Sequence, residues 1–184
     1  MALIAPIVAE AQESTESMLG PQVQVVTNRG SFVIQLNRER APLTVESFMQ
    51  FVEEGHYEGT IFHRVIVGFL AQTGGYTVDM QERPVTRTVV NESGNGLSNM
   101  RGTVGLARTN DPHSGNAQFY INLVDNLDLN PRPARWGYTV FGEVTEGMEV
   151  VDDFGYTPTG AGGVFDRNVP VEPIIIERID ILSE

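Results

Sequence analysis

From Thr60 onward the chain is a succession of short apolar runs set between turn-forming residues, and this pattern constrains the fold more than any other feature. The runs cover residues 61–67, 69–72, 103–107, 118–123 and 139–144. Each has the length and the β-branched or aromatic content of a strand, and none is long enough for a helix. Nineteen glycines and ten prolines supply the breaks between them. A chain divided in this way is excluded from helical bundles and points to a barrel or sandwich. Upstream, residues 23–27 and 31–36 flank the turn Asn28-Arg29-Gly30 and read as a hairpin. A helix opens at Ala41-Pro42 with Val45, Phe48, Met49 and Val52 at helical spacing, and Gly55 ends it. A second short helix is expected over residues 148–154. The last apolar run, Ile174-Ile175-Ile176 with Ile179 and Ile181, is a strand suited to pair with the first hairpin and so close a barrel. The connections over residues 77–102 and 156–173 are expected to be long and irregular, as functional loops are.

No repeat or linker divides the 184 residues, so one core is expected over residues 21–184. The first 20 residues stand apart. They begin MALIAPIVAEAQ, an apolar segment running into Ala9-Glu10-Ala11, and read as a signal-peptide remnant or a flexible tail. The remnant implies a periplasmic protein and the tail a cytoplasmic one. The absence of cysteine removes disulfides and thiolate chemistry but does not assign a compartment. A net charge of −12, with arginine as the only basic residue type besides histidine, repels phosphate backbones and anionic lipid. Nucleic acid and membrane are therefore not expected partners.

Three features could carry chemistry. Arg64 lies within an apolar strand beside Phe62, Val65 and Ile66, where it either caps a hydrophobic rim or serves a reaction. Gln72 and Gln118 each stand beside aromatics, and a buried glutamine needs a partner that an arginine fork can supply. The histidines at 56, 63 and 113 lie in separate segments without metal-ligand spacing, so neither a metal site nor a cofactor is expected.

Three blocks in order, residues 62–75 (FHRVIVGFLAQTGG), 101–122 (RGTVGLARTNDPHSGNAQFYIN) and 137–152 (GYTVFGEVTEGMEVVD), resemble the cyclophilins. The compact loop over residues 91–97 is most similar to the bacterial periplasmic type. The resemblance spans residues 23–182 and implies a mainly β fold, a closed eight-stranded antiparallel barrel capped by two helices. It implies a peptidyl-prolyl cis/trans isomerase that assists protein folding.

 

Carried over position by position, Arg64 falls on the family's catalytic arginine, Gln72 on the glutamine that orients it and Phe69 on the aromatic floor. Leu70, Gln118, Tyr120, Leu129 and Tyr138 fall on positions lining the substrate pocket, and Ala107, Arg108 and Thr109 on the segment whose backbone pairs with an extended substrate. Two positions depart from the common pattern. Asp128 stands where relatives carry Trp or Phe, which implies doubtful or weak cyclosporin binding, although a slip of one or two residues would bring Leu127 or Leu129 to that wall. Tyr138 stands where many members carry His. The expected partners are proline-containing peptides and unfolded proteins, bound by a monomer.

The reaction suits such a residue set. Amide resonance sets a barrier of roughly 18–20 kcal/mol to rotation about an X-Pro bond. Lowering it requires no nucleophile and no metal, only a donor that favours the twisted amide and an apolar grip on the ring. A binding module of the same fold that holds proline segments without turnover is the second reading, and a purely structural barrel the third.

Overall fold

The computed structural model describes residues 20–183. The tail or signal remnant expected over residues 1–20 lies outside the described residues, except for Gly20. Strands β1 (Gln22–Thr27) and β2 (Gly30–Leu36) form the expected hairpin, paired in register from Gln22↔Gln35 to Thr27↔Gly30. Gly30 takes φ 123°, which a side chain would resist, and this lets the turn close tightly. Val23 and Val25 of β1, with Phe32, Ile34 and Leu36 of β2, are buried in the core.

Helix α1 (Pro42–Glu53) has proline in its first turn and buries Val45, Phe48, Met49 and Val52, the four residues expected from their spacing. Its own N-cap, Ala41, supplies no side-chain bond. Instead Glu92, from a distant loop, accepts hydrogen bonds from the Leu43 and Thr44 N–H groups at 3.1 and 2.9 Å and from Thr44 Oγ1 at 2.6 Å. A carboxylate there satisfies orphan donors and complements the helix dipole.

The remaining elements are β3 (Arg64–Ile66), β4 (Leu70–Thr73), β5 (Thr103–Leu106), β6 (Phe119–Asn122), β7 (Val140–Glu146), helix α2 (Met148–Gly155), β8 (Thr159–Gly162), β9 (Phe165–Pro170) and β10 (Ile176–Ser183). Eight strands form one antiparallel sheet in the order β10-β1-β2-β7-β5-β6-β4-β3. The expected pairing of the last strand with the first hairpin is present as β1–β10.

The two ends of this sheet meet along a short seam rather than a full ladder. Phe62 N–H bonds to Ile174 O at 2.9 Å, Ile176 N–H to Thr60 O at 2.8 Å, and Gly59 N–H to Ile176 O at 2.8 Å. The run over residues 61–67 is accordingly divided: its first part serves the seam and only β3 joins the ladder. Residues 156–173 are also more ordered than expected, since β8 and β9 pair as a separate two-stranded sheet. Their Gly-rich, charged composition hides the strand alternation.

Aromatic side chains tie the helices to the sheet. Phe48 of α1 meets Tyr57, Phe119 and Phe141 with ring centroids 5.3–5.5 Å apart. Phe154 of α2 meets Phe32 and Phe62 at 6.3 and 4.9 Å. No helix among the described residues is long and apolar enough to cross a membrane.

Candidate active site

The period of two along β3, β4, β5 and β6 decides which side chains reach the core and which face the other way. Val65, Ala71, Val104 and Ile121 point into the core and are buried. Their neighbours Arg64, Gln72, Gly105 and Tyr120 lie opposite one another, through the pairs Arg64↔Gln72, Gln72↔Tyr120 and Gly105↔Tyr120. Directly paired residues share a face, so these four form one row across the outer side of the sheet. Gly105 has to be glycine: a methyl there would lie 2.2 Å from Tyr120 Cζ, so only a bare backbone lets the ring lie across it.

A hydrogen-bonded chain runs along this row. Arg64 Nη1 donates to Gln72 Oε1 at 3.1 Å, and Gln72 Nε2 donates to Gln118 Oε1 at 3.0 Å. Gln72 therefore uses both ends of its amide, and its acceptor end holds the guanidinium. Gly75 leaves room for the Gln118 amide, which would lie 2.5 Å from an added methyl. Burial is the largest influence on Arg64 and lowers its pKa; Tyr138 opposes that shift and Arg167 adds to it. An arginine begins so far above neutrality that it keeps its charge. Loss of the Gln72 amide should therefore leave Arg64 charged but poorly aimed. We expect Gln72→Ala to lower kcat for a proline peptide about tenfold, the worth of one positioning hydrogen bond, with a smaller change in KM. Steady-state kinetics on the purified variant checks this.

The other expected residues gather around the row. Tyr120 and Leu70 are 2% and 3% exposed, so they form a floor and offer a ligand little surface of their own. Tyr120 Oη donates to Asn99 Oδ1 at 2.6 Å, and burial raises its pKa well above the ordinary value. Its ring meets Tyr138 edge-on at 6.1 Å. Phe69 is partly exposed just before β4, and Leu129 is half-buried, its carbonyl accepting the Tyr138 N–H at 2.9 Å.

Asp128 turns outward and pairs with Arg132. Leu127 is 56% exposed, so of the two leucines it is Leu129 that stands next to Tyr138 at this wall. A cleft of about 120 Å³ beside the row is lined by Gln72, Gln118, Ala107, Arg108 and Thr109 with Ser114 and Asn116. The Ala107 and Thr109 N–H groups are already bonded, to Gln118 O and Ser114 Oγ, both at 2.9 Å. These two N–H groups are therefore not open to a ligand.

Two supports were not anticipated. The first is a set of asparagines behind the floor. Asn99 Oδ1 accepts from Tyr120 Oη and from Asn122 Nδ2, while Asn126 Nδ2 donates to Asn122 Oδ1 at 2.7 Å and to Phe69 O at 2.9 Å. Asn130 Oδ1 in turn accepts from the Asn99 backbone and side chain. The spacing Asn122, Asn126, Asn130 was the available signal. The second is the Arg108 side chain, expected to matter only through its backbone. Its guanidinium lies 4.4 Å from the Tyr138 ring centroid and donates to the carbonyls of Thr109, Trp136 and Gly137. It clamps the segment around Arg108 to that around Tyr138.

The histidines serve structure. His56 Nε2 bonds to Gly74 O at 3.0 Å, and His113 Nδ1 accepts the Asn91 N–H at 3.1 Å. His63 is buried between Tyr76 and Phe165.

An antiparallel eight-stranded barrel with two helices, bearing an arginine held by glutamines on its outer face, defines the cyclophilin class. The family model for cyclophilin type peptidyl-prolyl cis-trans isomerases matches residues 22–181, and the chain belongs to this family. It is 50% identical over 164 residues to a peptidyl-prolyl cis-trans isomerase of Streptomyces antibioticus, covering 88% of this chain and 98% of that protein. It is 46% identical over 158 residues to peptidyl-prolyl cis-trans isomerase B of Escherichia coli, covering 84% and 96%. Among solved structures, a Cryptosporidium parvum cyclophilin type isomerase superposes with a TM-score of 0.72 at 25% identity, covering 89% of this chain and 98% of that one. The same Cryptosporidium protein in the presence of the dipeptide Ala-Pro gives 0.71.

Proposed function

We propose that this peptidyl-prolyl cis/trans isomerase binds and twists X-Pro bonds at the Arg64 row. The observation that carries the reading is the chain Arg64–Gln72–Gln118, which aims a permanent cation from a half-buried position. As the C–N bond twists, resonance is lost and the prolyl nitrogen gains a localised lone pair. A guanidinium N–H aimed at that nitrogen binds the twisted amide better than either planar isomer, which is the condition for catalysis. Phe69, Leu129 and Tyr138 hold the pyrrolidine ring above the Leu70 and Tyr120 floor, so that the neighbouring residue rotates against a fixed proline. Gln118 has an amide donor free of the Gln72 bond, suited to the acyl oxygen.

Extended, proline-containing stretches of unfolded proteins are the substrates this groove suits, because only a flexible segment can both enter and rotate. One chain supplies every residue named, so a monomer suffices. The outward Asp128 leaves the wall with Leu129 in place of the Trp or Phe of relatives, which supports weak cyclosporin binding. The pattern at Ala9-Glu10-Ala11 supports export to the periplasm, with the cytoplasm as the alternative. Two-dimensional exchange spectra of an Ala-Pro peptide with catalytic amounts of the protein test the central claim. We expect cross-peaks between cis and trans signals on the sub-second scale; broadening of the major isomer alone would support a holding module instead.

A further inference from the structure

We propose that the rim beyond Tyr138 is an extended specificity subsite that favours substrates carrying a carboxylate side chain a few residues from the proline. The inference rests on the proline site being the Arg64 row.

The chain as a whole carries −12, yet its groove is positive. Arg64, Arg108 and Arg135 border it, and Arg167 lies close enough to depress the ionisation of Arg64. Among the described residues none of these four is paired with a carboxylate; Arg38, Arg40 and Arg83, which line neither cleft, are likewise without one, whereas Arg29, Arg87, Arg101, Arg132 and Arg178 each have one. Positive charge left uncompensated along one concave surface of an acidic protein focuses its field there and attracts anionic groups.

A cleft of about 400 Å³ gives that field a place to act. Arg108, Arg135, Trp136 and Tyr138 line it with Asn110, Pro112 and Ala134, and no acidic residue is among them. Arg108 and the Tyr138 ring also belong to the walls of the proline site, so the cleft continues the groove. An extended peptide advances about 3.3 Å per residue, so only a few residues separate a proline at Arg64 from a side chain in this cleft. Trp136 is half-exposed and held edge-on by His113 at 5.3 Å, a fixed apolar wall for the methylenes of a glutamate. Arg135 donates from Nη2 to Asp128 O, which fixes its head while leaving further donors for a carboxylate. Asp111, between the cleft residues Asn110 and Pro112, accepts the His113 N–H, and Asp128, whose carbonyl holds Arg135, is engaged by Arg132.

The test is a set of proline peptides in which glutamate or glutamine occupies each of three positions on either side of the proline, assayed for kcat/KM at low and high salt. At one or two positions we expect the glutamate peptide to be favoured about three- to fivefold at low salt, the worth of an exposed ion pair, and this preference to vanish at high salt. Arg135→Gln should remove the preference while leaving the glutamine peptides unchanged, and Arg135→Lys should retain part of it. The inference is overturned if no position shows a salt-sensitive glutamate preference, or if Arg135→Gln leaves the preference intact. Absence of catalysis on the glutamine peptides would instead overturn the assignment of the proline site.

Discussion

Replacing Arg64 with alanine is expected to lower kcat/KM for a proline tetrapeptide by about 100- to 1,000-fold, the usual cost of removing one aimed donor from a transition state. The fold should survive, because Arg64 is on the face of β3 turned away from the core and bonds only to Gln72 among the contacts described above. Far-ultraviolet dichroism and a denaturation midpoint close to that of the parent check this, and they separate loss of chemistry from loss of structure. Arg64→Lys should recover little, since an ammonium lacks the planar fork that Gln72 holds. Full activity in Arg64→Ala would remove the centre from this row. A millionfold acceleration would correspond to roughly 8 kcal/mol, more than one donor supplies, so under the proposed function the remainder falls to the apolar grip.

Acid should destabilise the protein through His63. Burial is the main cause that pushes its pKa from 6.5 down to about 4; the charge of Arg64 adds to it, and the nearby Ile61 carbonyl and Gln118 amide only partly offset it. Above about pH 6.5 the ring is neutral whether the chain is folded or not. Between pH 6.5 and 4 the unfolded chain takes up a proton that the folded one resists, so stability rises with pH through this window and is lost as pH falls. The expected loss between pH 7 and pH 4.5 is about 2–3 kcal/mol from this group alone. His56, also lowered by burial, and Glu54, lowered by its bond to Arg87, act in the same direction. Urea denaturation at several pH values checks this, with His63→Phe as the control, since a phenyl ring keeps an aromatic side chain beside Tyr76 and Phe165 and cannot titrate. A pH dependence unchanged in His63→Phe would mean that the other groups carry it.

The hairpin of β1 and β2, the α1 face and the β10 pairing were legible because each is written in local periodicity and turn chemistry. Val45, Phe48, Met49 and Val52 repeat at helical spacing, and Asn28-Arg29-Gly30 separates two β-branched runs. The β8–β9 sheet was not legible, because glycines and charges interrupt its alternation. Arg64, Gln72 and Gln118 were each visible as polar residues in apolar strands, and similarity to a known family assigned them roles. Their mutual contacts were not visible, since 46 residues separate Gln72 from Gln118.

By itself, the sequence determined the strand-rich class, the two helices and the identity of the arginine and glutamines, because side-chain type and spacing along the backbone are local properties. Only the tertiary structure decided that β4 and β6 stand side by side, bringing Gln118 to Gln72 and through it to Arg64. It also decided the opposite wall, where Asp128 turns to solvent and Leu129 lies beside Tyr138. The closing seam between residues 59–62 and 174–176, the asparagines behind the floor and the Arg108 clamp were decided there as well. Each joins segments far apart in the chain through hydrogen bonds whose partners no local pattern specifies.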